Sequence, residues 1–279
     1  MFHNAVTGRW TSNKIQFQNL PKPAKGSDIN EDRSLVLNSD YDTVKAKTPN
    51  IRQLLSGITR TAIIPEAGHK LIVADYSAIE ARVLSVMAGE QWRIEAFKSG
   101  QDIYCASASQ MFGVPVVKNG TNGELRVKGK IAELALGYGG SVGALKNMGA
   151  LDMGLKEDEL EGLVASWRKA NPKIKSYWTR CGVAAIRAVE NKGLSEVGNI
   201  RFYCPNQTLF IILPSGRRIA YRNACVQTNK NGFKEIVYTS SNLKKTPISG
   251  PKFVENIIQG ISRDILAHAL RNLSNYKVI

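Results

Sequence analysis

Histidine is scarce in this 279-residue chain: His3, His69 and His268 are its only three, and none has a partner at metal-ligand spacing. Cysteine is nearly as sparse. Cys105, Cys181, Cys204 and Cys225 are scattered, with no C-x-x-C pair, which excludes a zinc knuckle or a dithiol redox motif and reads as small buried hydrophobes in a reducing compartment. No apolar run approaches membrane-spanning length and the N-terminus carries no signal-peptide pattern, so the expectation is a cytoplasmic protein with no membrane partner. Internal repeats and low-complexity tracts are lacking too. Acidic residues are in deficit, 23 against 38 Lys plus Arg, which leaves a net charge of +15. A surplus of that size points to a polyanionic partner, nucleic acid or nucleotides, unless it is simply a basic surface. What remains is ordinary: 43% hydrophobic and 22% charged residues, enough to bury a sizeable core.

Along the chain, residues 1–23 read as loop or short extended structure, and 24–50, charged and punctuated by Gly, Asp, Asn and Pro, as an exposed excursion. Ile51 to Thr61 suits a short helix. The run His69-Lys-Leu-Ile-Val-Ala-Asp75 predicts a buried strand ending in an acid. Ser77 with Glu80 three residues later makes a capping box for a helix running to about Met87, with Ile79, Val83 and Val86 inward and Gly89 closing it. Helices are predicted over 92–100, 103–112 and 123–136, and a helix-rich stretch over 155–192 with a turn at Asn171-Pro172. Thr208 to Tyr221 reads as a hairpin around Pro-Ser-Gly. A long amphipathic helix is predicted from Val254 to Leu273. No linker divides the chain cleanly.

Asp75 sits where the predicted strand gives way to the helix. A carboxylate on such a rigid edge suits a divalent cation, yet an Asp there is also an ordinary helix cap. Arg126, Lys130, Leu134 and Tyr138 are spaced by four and fall within a helical stripe about 120° wide. Two like charges one turn apart cost a few tenths of a kcal/mol without a counter-charge. The stripe is therefore either a solvated face or a ridge for a strong anion, with Arg offering bidentate geometry and Lys a point charge.

The run Ala74-Asp-Tyr-Ser-Ala-Ile-Glu-Ala-Arg-Val-Leu84 resembles motif A of family A DNA polymerases, and Arg126-x-x-x-Lys130 through Tyr138-Gly139 resembles motif B. The string Ala-Glu-Leu-Ala-Leu-Gly-Tyr-Gly-Gly from Ala132 is similar to the bacteriophage-type branch, with Glu133 and Leu134 where bacterial enzymes carry an Asn and an aromatic ring. Thr7-Gly-Arg-Trp10 and Gln18-Asn-Leu-Pro21 resemble the primer–template minor-groove segment. Arg60 before Thr-Ala-Ile-Ile-Pro-Glu, Asp102-Ile-Tyr104, and Glu255 to Gly260 with Arg263 to Leu266 match further family positions.

The resemblance implies an α/β fold: a palm of antiparallel sheet and helices over 1–89 and 201–279, with a helical fingers subdomain inserted over 90–200. It implies template-directed deoxynucleotidyl transfer to a primer 3′-OH, with primer–template DNA and deoxynucleoside triphosphates as partners and two Mg²⁺ ions as cofactors. Asp75 and the Tyr76 backbone would hold metal. Arg126 and Lys130 would bind the triphosphate, Lys130 also protonating leaving pyrophosphate. Glu80 would exclude ribonucleotides, unless it serves only the capping box, and Tyr138 would stack near the templating base. Arg60, Tyr104 and Leu134 complete the nucleotide set; Arg9, Gln18, Asn19, Gly139 and Gln259 form the DNA set.

By the same resemblance motif C, a His-Asp-Glu strand, should begin just past Ile279, and the thumb and exonuclease should lie before Met1. The sequence thus reads as a palm–fingers fragment, inactive alone unless a companion polypeptide supplies the rest. The rival readings are a degenerate DNA-binding remnant and a single-subunit RNA polymerase, against which Glu80 argues.

Overall fold

The computed structural model describes residues 6–10, 19–23, 26–48 and 50–276. It divides into two units, Met1–His3 with Trp10–Tyr76, and Asn4–Arg9 with Ser77–Ile279.

The first unit is built from short, mostly exposed helices, α1 (Ile29–Asn38), α2 (Tyr41–Lys47) and α3 (Ile51–Ile58), the last running into a 3-10 turn over Thr59–Ala62. Asx caps start all three: Asp28 accepts from the Asn30 and Glu31 amides, Asp40 from Thr43 and Asn50 from Gln53. The excursion predicted over 24–50 is thus exposed but helical. The strand predicted over His69–Asp75 is absent. That segment is unpaired, with Ile72 81% and Val73 92% exposed. Its apolar run was the strand signal, but a strand also needs a neighbouring backbone for its ladder. The six strands that do form pair only with one another.

In the second unit those strands make an antiparallel meander in chain order: β1 (Leu194–Val197), β2 (Ile200–Tyr203), β3 (Leu209–Ile212), β4 (Arg218–Thr228), β5 (Lys234–Thr239) and β6 (Lys245–Ile248). Strict alternation on β2, with Ile200 and Phe202 inward and Arg201 and Tyr203 outward, leaves one face for the core. Onto that face packs α10 (Pro172–Glu190), flanked by α11 (Gly250–Asn272). Gly250 permits the close crossing: a Cβ there would lie 2.1 Å from the Trp178 carbonyl oxygen. Phe253 meets Phe202 and Tyr221 edge-on at 6.3 and 5.3 Å between centroids.

The remaining helices are α4 (Ile79–Ala88), α5 (Gln91–Lys98), α6 (Ile103–Phe112), α7 (Leu125–Leu136), α8 (Val142–Asn147) and α9 (Glu159–Ala170). Trp167 of α9 stacks on Trp178 of α10 at 6.1 Å. The buried Glu90 carboxylate, just before α5, accepts from the Lys173 and Ile174 amides at 2.8 and 3.3 Å, and so caps α10 from a distance. Two details of α4 differ from expectation. Its N-cap is Ala78, in the left-handed region at φ 51°, so Ser77 and Glu80 form no capping box. Val86 is exposed, and Val83, Leu84, Ser85 and Ala88 are the buried residues instead. Gly89 ends α4 in a left-handed cap, as its position predicted. The fold is α/β, helices beside one antiparallel sheet. No helix among the described residues is long and apolar enough to cross a membrane.

Candidate nucleotide-binding site

Released from any capping box, Glu80 faces two other partners. Its Oε1 accepts from Arg9 Nη1 at 3.0 Å and its Oε2 from the Tyr138 hydroxyl at 3.3 Å. Tyr138 lies two residues past the end of α7, in the turn that Gly139 continues at φ 78°. Burial, and the Glu80 carboxylate beside it, push the Tyr138 phenol well above its ordinary range, so it stays protonated and donates. Gly139 leaves no room for a side chain, since a Cβ there would sit 2.6 Å from Pro251 of α11. Within the second unit, Thr7 and Gly8 are tied down by arginines: Arg217 donates to Thr7 O at 2.8 Å and Arg263 to Gly8 O at 3.1 Å. Arg9 thereby arrives at Glu80 from a restrained backbone.

A second group forms where α6 meets α7. Arg126 donates from Nε and Nη2 to Asp102 Oδ2 at 3.0 and 2.7 Å, and lies 5.2 Å from the centre of the Tyr104 ring. Asp102 also caps α6, accepting from the Tyr104 and Cys105 amides. Partial burial works against its charge, but Arg126 and those two amides outweigh it and hold the carboxyl below its usual range. Asp102 therefore neutralises Arg126 in part. Lys130, one turn further along α7 and half-buried, makes no ion pair among the described residues. Of the two cations, Lys130 has the charge left over for an anion. Leu134 completes the outward stripe, half exposed.

Beside that stripe, at the edge nearest Arg126, α7 carries a buried group whose partners the sequence did not reveal. Glu133, its side chain 4% exposed, accepts from Arg93 in a bidentate pair, from Ser107 Oγ at 2.8 Å and from Trp167 Nε1 at 3.0 Å. Arg93 is 1% exposed and also donates to Ser85 Oγ and Asn171 Oδ1. Desolvation opposes the Glu133 charge, yet Arg93 and the neutral donors win and hold its carboxyl low. The hints in the sequence were an acid amid apolar residues on α7 and its place where bacterial enzymes carry an Asn.

Among the remaining predicted residues, Gln259 is half-buried on α11 and donates to Glu255 at 3.3 Å. Arg60, Asn19, Asp75 and Tyr76 belong to the first unit. Arg60 is occupied by the Leu20 and Pro21 carbonyls, at 2.7 to 3.2 Å. Asn19, Asp75 and Tyr76 are exposed, and Gln18 lies outside the described residues. Asp264 is spoken for by Ser215 at 2.6 Å and Arg217 at 2.7 Å. Among the described residues no group of three His, Cys, Asp or Glu side chains could hold a metal by itself. Mg²⁺ does not demand one, because it keeps water and phosphate oxygens around one or two carboxylates. The exposed Asp75 carboxylate fits one corner of such a shell.

The family model for DNA polymerase family A matches residues 2–275, nearly the whole length. The chain belongs to DNA polymerase family A. It is 43% identical over 281 residues to a DNA polymerase of Bacillus phage SP02, covering 98% of this chain and 43% of that protein. It is 39% identical over 175 residues to DNA polymerase I of Rhizobium leguminosarum, covering 62% of this chain and 14% of the relative. The chain thus spans less than half the length of these family A relatives. A solved structure, the POL domain of Pol1 from M. smegmatis in complex with DNA primer-template and dNTP, covers 93% of this chain and 32% of its own at 19% identity and a TM-score of 0.48, a likeness too weak to carry weight.

Proposed function

We propose that this chain supplies the palm and fingers, 1–89 with 201–279 and 90–200, of a template-directed DNA polymerase that adds deoxynucleotides to a primer 3′-OH and releases pyrophosphate. Family membership supports the reaction class. The observation that carries the substrate side is the Glu80 carboxylate, pinned between Arg9 and Tyr138. A carboxylate held from both oxygens is a fixed wall, and a 2′-hydroxyl brought against it finds no space. Selection of deoxyribose follows from that rigidity.

Lys130 binds the triphosphate as a point charge and stands ready to give a proton to the departing pyrophosphate oxygen. Arg126 grips it bidentately after sharing Asp102, and Tyr104 buttresses the guanidinium through its ring. Tyr138 and Leu134 shape the space for the nascent base pair, and Arg60 serves the pyrophosphate end. Arg9, Gln18, Asn19, Gly139 and Gln259 line the primer–template. Asp75 and the Tyr76 carbonyl would hold Mg²⁺, two ions in the working enzyme, whose chemistry there would be to neutralise phosphate charge.

Binding of matched dNTP and rNTP to the primer–template complex in Mg²⁺, followed by fluorescence, tests the reading. Glu80→Ala is expected to narrow the deoxyribose preference at least tenfold, mainly by improving rNTP binding. An unchanged preference in a folded Glu80→Ala protein would remove Glu80 from sugar selection.

A further inference from the structure

The outward face of β1–β4 carries none of the residues assigned above, and it is neither wholly apolar nor neutral. The ladder registers align Glu196, Arg201, Ile212 and Arg218 in one row, and Leu194, Tyr203, Phe210 and Ala220 in the next, with Arg222 following on β4. Arg201, Arg218 and Arg222 are exposed, and none forms an ion pair or hydrogen bond among the described residues. Glu196 is the one acid in these rows. It faces Arg201 across the ladder without pairing to it. Tyr203 is 37% exposed beside the half-buried Phe210, and Arg218 lies 5.9 Å from the centre of the Phe210 ring. A depression of about 300 Å³ is lined by Leu194, Arg201, Tyr203, Ile212, Gly216 and Arg218.

Three unpaired guanidiniums interleaved with two aromatic rings on one sheet face is a combination that plain solubility does not require. Arg is chosen over Lys where planar stacking and phosphate recognition matter. The exposed Tyr203 ring beside them offers a face to a nucleobase, and Phe210 adds its accessible edge next to Arg218; such stacking is tolerant of sequence. An acidic peptide would satisfy the arginines but leave Tyr203 and Phe210 without a stacking partner. Duplex DNA offers phosphates but keeps its bases inside the stack.

We propose that the outer face of β1–β4 is a binding surface for single-stranded nucleic acid, with Arg201, Arg218 and Arg222 on the phosphates and Tyr203 and Phe210 under the bases. The proposal does not depend on nucleotidyl transfer.

The test is fluorescence anisotropy of the 279-residue chain with a labelled 30-nucleotide oligo(dT), titrated over a range of salt, with a blunt duplex of equal length as control. Arg201→Ala with Arg218→Ala is expected to weaken oligo(dT) binding at least tenfold and to lower the log–log salt slope by about 1.4, two single-strand phosphate contacts. Tyr203→Ala is expected to weaken it about fivefold with the slope unchanged, the signature of lost stacking. Duplex binding should stay within twofold in both variants. These side chains are exposed, and circular dichroism verifies the fold. Oligo(dT) affinity within twofold of the parent chain in all variants overturns the proposal, as does an equal loss on duplex. Nucleotide selection by Glu80 can fail without altering any of these outcomes.

Discussion

Glu133 shows how much a single side chain can carry in this molecule. It joins α5, α6, α7 and α9 through Arg93, Ser107 and Trp167, and so fixes which face of α7 turns outward. Breaking one half of a buried pair strands the other charge, at a cost of about 3–5 kcal/mol. Glu133→Gln is expected to destabilise the chain by that amount in urea unfolding. Arg93→Ala combined with Glu133→Gln should cost clearly less than the sum of the two single changes. Glu133 drew notice in the sequence only as a departure from the bacterial pattern; its pairing with Arg93 did not, because it spans 40 positions and is made only by helix packing. Lys130, Arg126 and Glu80 were legible because their spacing and neighbours follow a motif. Their partners Asp102 and Arg9 show that a motif names residues without naming what holds them.

Among the elements, local signals were read well and nonlocal ones were not. The period of apolar residues gave α6 as Ile103–Phe112, and Asn171-Pro172 marked the break between α9 and α10. The hairpin around Pro-Ser-Gly joins β3 to β4. The expected strand at 69–75 failed because nothing in a stretch of valine and isoleucine specifies a ladder partner. The capping box failed because Ala78 takes a left-handed conformation that its sequence does not announce. The cap that does form on α6 yields a prediction. Asp102→Ala removes an N-cap worth about 1 kcal/mol and releases Arg126. The Asp102 carboxyl is held below its ordinary value of 3.8, so its contribution is complete above that pH and is lost as pH falls through the lower, folded value. In acid titrations of stability, the variant should lie below the parent chain near pH 7 and converge with it at the acid end.

For the whole molecule, the charge of +15, family membership and the distribution of unpaired arginines agree on a polyanionic partner. Asp264, late in the chain, is committed to Arg217 and Ser215. The 279-residue chain is expected to bind primer–template DNA with an affinity that falls steeply as salt rises. Affinity that is independent of salt in an anisotropy titration would contradict that.

Lys130 is the cation of α7 left without an ion pair among the described residues, and a dNTP titration of the primer–template complex tests most directly whether its charge meets a triphosphate. Lys130→Ala should weaken dNTP binding at least tenfold, and Lys130→Arg, which keeps the charge, should restore most of it. A folded Lys130→Ala protein that binds dNTP within twofold of the parent chain would contradict that role.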